Sequence, residues 1–122
     1  MPHISKTLFD APYHEDRPWG SFDLFAQNFP STVKIITVKA GECTSLQQHR
    51  NRQEFWHVIS GNGELTIGTE THPVVVGHNY MVTAGMPHRI ASGDQNLVLL
   101  EISTGEFDEN DIQRLQDKYN RT

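Results

Sequence analysis

Between Gly41 and Gly61 the chain reads GECTSLQQHRNRQEFWHVISG, and within that stretch Gln47, His49 and Glu54 stand at short intervals. Side chains two residues apart in a strand point to one face, so Gln47 and His49 share a face with Cys43 and Ser45. The residues from Arg50 to Gln53 read as a loop that returns the chain and lets Glu54 approach that face from the next strand. Downstream, GHNYMVTAGMPHRIAS sets Gly85 and Pro87 in a tight turn just ahead of His88. An amide oxygen, a carboxylate and a pair of imidazoles form a donor set suited to a borderline divalent cation such as zinc, manganese, cobalt or nickel. The competing reading is a polar barrel lining that binds nothing.

Those residues need a scaffold, and the sequence supplies one. From about Ser31 to Thr104 the runs TVKIITVKA, EFWHVIS, GELTIG, HPVVVG, YMVTA and NLVLLEIS alternate with glycine, proline and asparagine turns, which predicts an all-β sandwich or barrel. Gly61-Asn62-Gly63 and the Gly68 to Thr71 region read as hairpin turns, so neighbouring runs are expected to pair antiparallel. In EFWHVIS, Trp56 and Val58 share a face with Glu54, while Phe55 and Ile59 occupy the other. A sheet apolar on both faces must be covered twice, and a second subunit is one way to do it, so a homodimer is expected. Parity turns His57 away from Glu54, His72 and His78 sit beside turns, and Cys43 reads as a small apolar filler. From Asp108 the tail DENDIQRLQDKYNR has an acidic start, Ile112, Leu115 and Tyr119 at helical spacing, and basic residues near its end, which predicts a short C-terminal helix over about 108–120.

A length of 122 residues fits a single domain over 1–122, with an N-terminal arm over about 1–20 and the barrel over about 21–107. A chain of this size hides roughly two-thirds of its unfolded surface and needs no external staple. The net charge is −5 and the basic residues are scattered, which argues against nucleic acid or an anionic membrane as the main partner. The single cysteine excludes an internal disulfide and a cysteine-rich zinc finger, and fits a reducing compartment. With no apolar signal core in MPHISKTLFDAPYHEDRPWG and no run near the ~18 apolar residues of a membrane span, a cytoplasmic location is expected.

The spacing also resembles a known pattern. Gly41 to Gly61 is similar to the first motif of the cupin superfamily, with Gln47 where that motif has its first histidine. Gly77 through His88 to Ser92 resembles the second motif, with Thr83 in place of proline and Ser92 in place of asparagine. The order Gln, His, Glu, His resembles the metal-ligand pattern of cupin phosphomannose isomerases. RPWGSF, VKIITVKAGECTSLQQH, AGMPHRI and EISTGEFDENDI resemble blocks of the type II mannose-6-phosphate isomerase domain, a likeness running from about Arg17 to Tyr119. In many relatives a mannose-1-phosphate nucleotidyltransferase domain precedes this one, and that activity does not carry over to so short a chain.

The resemblance implies an all-β cupin (double-stranded β-helix or jelly-roll barrel) holding one divalent metal, zinc foremost, on Gln47, His49, Glu54 and His88. It implies an aldose–ketose isomerase acting on the mannose 6-phosphate and fructose 6-phosphate pair through an enediolate. An amide ligand in place of an imidazole makes the metal a harder Lewis acid, suited to polarising a carbonyl without redox change. Arg89 stands where the family's arginine is associated with isomerase activity, although strand alternation turns it from His88. Arg17 matches the arginine of the family's RPWG block. Glu101 in the last strand is a candidate base, and Lys34 could meet a phosphate at the barrel mouth. The alternatives are a non-catalytic cupin that binds a sugar or small acid, and an oxygenase or lyase, which the loss of a histidine at Gln47 disfavours.

Overall fold

The computed structural model describes residues 7–106, 108 and 110–117, with side chains from Pro12 onward. It divides into two units, 1–30 and 31–122. In the first, β1 (Thr7–Arg17) and β2 (Gly20–Gln27) form an antiparallel hairpin whose register shifts between Leu8 and Tyr13. Within it His14 bridges Asp16 and Asp23, and Arg17 pairs with Glu15 while lying over the Phe22 ring.

The second unit is all-β, a jelly roll of two facing sheets. Its strands are β3 (Thr32–Val38), β4 (Leu46–Gln48), β5 (Arg52–Ser60), β6 (Gly63–Ile67), β7 (Glu70–Pro73), β8 (Asn79–Val82), β9 (His88–Ser92), β10 (Leu97–Gly105) and β11 (Gln113–Gln116). One sheet has the order β3-β10-β5-β8 and the other β11-β4-β9-β6-β7. Trp56 and Val58 of β5 and Leu97 and Leu99 of β10 bury their side chains against Leu65 of β6 and Ile90 of β9, and Val38 and Val82 complete this core. The opposite face of β5 is apolar too, as the alternation predicted, and Phe55 and Ile102 are buried there.

Two expectations are corrected. Gly68-Thr69 does close a hairpin, β6 on β7, but Gly61-Asn62-Gly63 carries the chain from one sheet to the other, and β5 pairs with β8 and β10 instead of β6. Glycine is needed at this corner because the backbone crosses its neighbours at close range: a Cβ on Gly61 would meet the Asn96 carbonyl oxygen at 2.0 Å, and one on Gly63 that of Ala91 at 2.0 Å. Glycine marks such a crossing and a tight turn with the same letter.

The C-terminal helix over about 108–120 is the second correction. Among the described residues of that tail the regular element is the strand β11, which pairs antiparallel with β4. Tyr119 and the rest of 118–122 lie outside the described residues. The physical reason is the edge of β4: a three-residue strand needs ladder partners on both sides, and only an extended segment supplies them. The preceding residues are committed as well. The Asp111 carboxylate accepts from the Arg50 and Asn51 amides at 2.9 and 2.8 Å, which ties this segment to the loop beside His49.

Candidate metal centre

The site is two rows of side chains facing each other across the barrel mouth. On one sheet Lys34 of β3, Glu101 of β10 and Trp56 of β5 are direct cross-strand neighbours, with Glu54 the next inward position on β5. On the other, Arg114 of β11 opposes Gln47 of β4, which opposes His88 of β9. His49 follows β4 directly. These residues line a cavity of about 170 Å³. A second cavity of about 570 Å³ shares Ile36, Thr44, Gln47, Ile112 and Arg114 with it.

His49, Glu54 and His88 are all buried, and their ligand atoms lie within 4.8 Å of one another. His49 Nδ1–H donates to the Asp111 carbonyl at 2.6 Å and His88 Nδ1–H to the Met86 carbonyl at 3.0 Å. Each ring therefore aims the lone pair of Nε2 into the cavity, the arrangement that backbone carbonyls impose on metal-binding histidines. Burial pushes His88 down to about 4 and lowers His49 as well, so both are neutral near pH 7. Glu54 Oε1 lies 3.6 Å from His88 Nε2, and Oε2 lies 3.3 Å from His49 Nε2. Neutral nitrogen lone pairs facing carboxylate oxygens at these distances repel unless a cation stands among them, a place the Arg52 guanidinium takes at His49 and Glu54, and the donor types, imidazole nitrogen with carboxylate oxygen, fit a divalent ion.

The supporting contacts are specific. Trp56 Nε1–H donates to Glu54 Oε1 at 3.1 Å, which orients the carboxylate. Gln47 Nε2 donates to Ser45 Oγ at 3.1 Å, so its Oε1 is the end offered to a cation. Glu101 is pushed up to about 7, first by burial and then by the Glu54 carboxylate beside it, against the pull of Lys34 and of a 3.2 Å bond from Ser103 Oγ. Arg52 is buried and reaches Glu54 Oε2 through Nε at 3.2 Å and His49 Nε2 through Nη2 at 3.1 Å.

Gln47, His49, Glu54, His88, Lys34 and Glu101 are thus brought to one cavity. Arg89 is turned from His88, as strand parity requires. Its Nε donates to the Thr44 carbonyl at 3.1 Å and its remaining nitrogens reach Gln116. Arg17 belongs to the first unit. Cys43 lines the larger cavity and forms an isolated bridge with Ala91, so the expected continuous strand from Cys43 to His49 is confined to Leu46–Gln48. His57 instead bonds Asn79 at 2.6 Å. Sequence reasoning missed Arg52 and Arg114. Arg52 was legible: running the alternation of β5 back two residues from Glu54 puts it on the same face. Arg114 was hidden in the segment that reads as a helix.

The two-sheet barrel with a His/Glu/His cluster in its mouth defines a cupin, and a protein with a double-stranded β-helix domain from Klebsiella pneumoniae shares the fold at 19% identity and a TM-score of 0.61 over 72% of this chain and 76% of that one. The profile of the family described as mannose-6-phosphate isomerase C-terminal matches residues 8–117. The chain belongs to that family. It is 38% identical over 117 residues to the xanthan biosynthesis protein XanB of Xanthomonas campestris, covering 93% of this chain and 25% of XanB. It is 38% identical over 108 residues to the alginate biosynthesis protein AlgA of Pseudomonas aeruginosa, covering 87% of this chain and 22% of AlgA. The chain therefore spans about a quarter of the length of these relatives.

Proposed function

We propose that this domain is a metal-dependent sugar-phosphate isomerase interconverting mannose 6-phosphate and fructose 6-phosphate. The observation that carries the reading is the convergence of Glu54 with the two imidazoles of His49 and His88 in a cavity that Lys34 lines from one sheet and Arg114 from the other. Family membership supports it, as do relatives named for building polysaccharides. His49, Glu54 and His88, with Gln47 Oε1, would hold a divalent cation that supplies Lewis-acid polarisation of the sugar carbonyl and its neighbouring hydroxyl. Glu101 stands beside Glu54 and takes the proton from C2 of the open-chain sugar, returning it at C1 through a carboxylate oxygen, while the C2 hydroxyl gives up its proton to become the ketone and the C1 oxygen takes one to become the hydroxyl. Lys34 lies directly across the ladder from Glu101 and offers its ammonium to the substrate's oxyanions. Arg114 receives the phosphate from the larger cavity with its planar fork. Arg89 acts through Gln116, holding β11 and so Arg114 in place.

Protein loaded in turn with zinc, manganese, cobalt and nickel should convert mannose 6-phosphate to fructose 6-phosphate in a coupled assay. Chelation should stop turnover, and His49→Ala and His88→Ala should lose stoichiometric metal. Full occupancy without turnover for every metal would sink the isomerase and favour a non-catalytic cupin that binds a sugar or small acid.

A further inference from the structure

Arg52 stands in the place where a metal would have to make its bond to His49. The imidazole Nε2 has one lone pair, and with Nδ1–H given to the Asp111 carbonyl that lone pair accepts Nη2–H of Arg52 at 3.1 Å. The same guanidinium donates through Nε to Glu54 Oε2 at 3.2 Å and through Nη1 to the Asp108 carbonyl at 3.2 Å. Both ends of the contact are inside the protein: Arg52 is 7% exposed, Glu54 2% and His49 4%. A buried carboxylate without a counter-cation is strongly disfavoured, and a guanidinium is the cation whose fork can satisfy two acceptors at once.

We propose that Arg52 is a resident counter-cation that closes the metal-free site, and that a divalent ion binds by exchange, displacing Nη2 from His49 Nε2. The inference rests on the metal reading above and adds the competitor to it. Exchange is forced at His49, where one lone pair cannot serve both partners. It is not forced at Glu54, whose carboxylate oxygens have lone pairs enough for the Nε–H bond to persist beside a metal. Arg52 is therefore a positioning residue in the loaded protein and a competitor in the metal-free one. The metal-free donor set then stays assembled, because the guanidinium holds His49 and Glu54 together until the ion arrives.

Two measurements with zinc alone test this, neither of which uses turnover. In the metal-free wild type, ¹⁵N-labelled at arginine and histidine, a coupling across the N–H···N bond between Arg52 Nη2 and His49 Nε2 should be present, and it should vanish on zinc saturation. Arg52→Met removes the competitor and should tighten zinc binding, measured against a chelating indicator, by about ten- to hundredfold, the worth of a hydrogen bond to a charged group. Zinc affinity in that variant equal to or weaker than wild type would overturn the inference, as would a coupling that is absent without zinc or that survives it. The coupling measurement needs no variant, so misfolding of Arg52→Met does not rescue the idea. Wild type that takes up no zinc removes the metal reading and this inference together, whereas uptake without exchange removes only the inference.

Discussion

At the scale of single residues, the chemistry of the site is set by what each polar atom already has as a partner. The Met86 and Asp111 carbonyls decide the tautomers of His88 and His49, and Trp56 decides where Glu54 points. The same reasoning separates two arginines that look alike in sequence. Arg89 spends its Nε on the Thr44 carbonyl and turns to Gln116, whereas Arg114 lines both cavities. Arg114→Ala should therefore raise KM for mannose 6-phosphate by about tenfold or more, since a hydrogen bond to a charged group contributes about 1.5–3 kcal/mol. Metal content should not change. Arg89→Lys should act through the stability of β11, with a smaller effect on KM. Steady-state kinetics of the two variants decide it, and an unchanged KM in Arg114→Ala would remove that residue from the phosphate site.

At the scale of elements, partners override local pattern. The tail from Asp108 has the spacing of an amphipathic helix, but two-residue alternation fits it equally, with Ile112 and Arg114 inward and Gln113 and Leu115 outward. The open edge of β4 and the Asp111 bonds to Arg50 and Asn51 select the strand. The β1–β2 hairpin offers a separate test. His14 bonds Asp23 through Nδ1 at 2.8 Å and Asp16 through Nε2 at 3.0 Å, and these bonds, that to Asp23 first, raise its pKa above the ordinary 6.5. A pKa raised on folding means the imidazolium form is the one stabilised. Its contribution is fully present below the unfolded value and is lost as the pH rises through the higher folded value. An NMR titration of the His14 ring should have its midpoint above 6.5, and Asp23→Asn should bring it down. A midpoint at or below 6.5 in the wild type would contradict the bridge.

At the scale of the whole molecule, the second unit combines an apolar floor with a polar mouth. Leu99 lies fully buried between Ile36 of β3 and Val58 of β5, in the core beneath the site. Leu99→Ala should cost about 2–5 kcal/mol in urea unfolding, the range for a buried leucine that leaves a cavity. Chelation should leave the far-ultraviolet circular dichroism unchanged, because this core does not depend on an ion as a zinc finger does. A chelated protein that unfolds would show that the metal carries the fold. Among the described residues no helix is long and apolar enough to cross a membrane.

What the sequence determined by itself is whatever depends on short spacing. Period-two alternation in EFWHVIS put Trp56 and Val58 on the face of Glu54 and Phe55 on the other, and the intervals among Gln47, His49 and Glu54 with the turn before His88 named residues that the fold brings to one cavity. Parity alone also turned Arg89 and His57 from the cavity. Tertiary structure decided the rest, because strand pairing joins residues far apart in the chain and local pattern carries no record of which edge lies beside which. Lys34 meets Glu101 and Gln47 meets Arg114 only through ladders, the glycine corner at 61–63 became a change of sheet, and a helical pattern became β11 on the edge of β4 that β9 leaves open. The protonation of Glu101 belongs here too: a carboxylate near the neutral range needs burial and a second carboxylate beside it, and that second carboxylate, Glu54, is more than forty positions away along the chain.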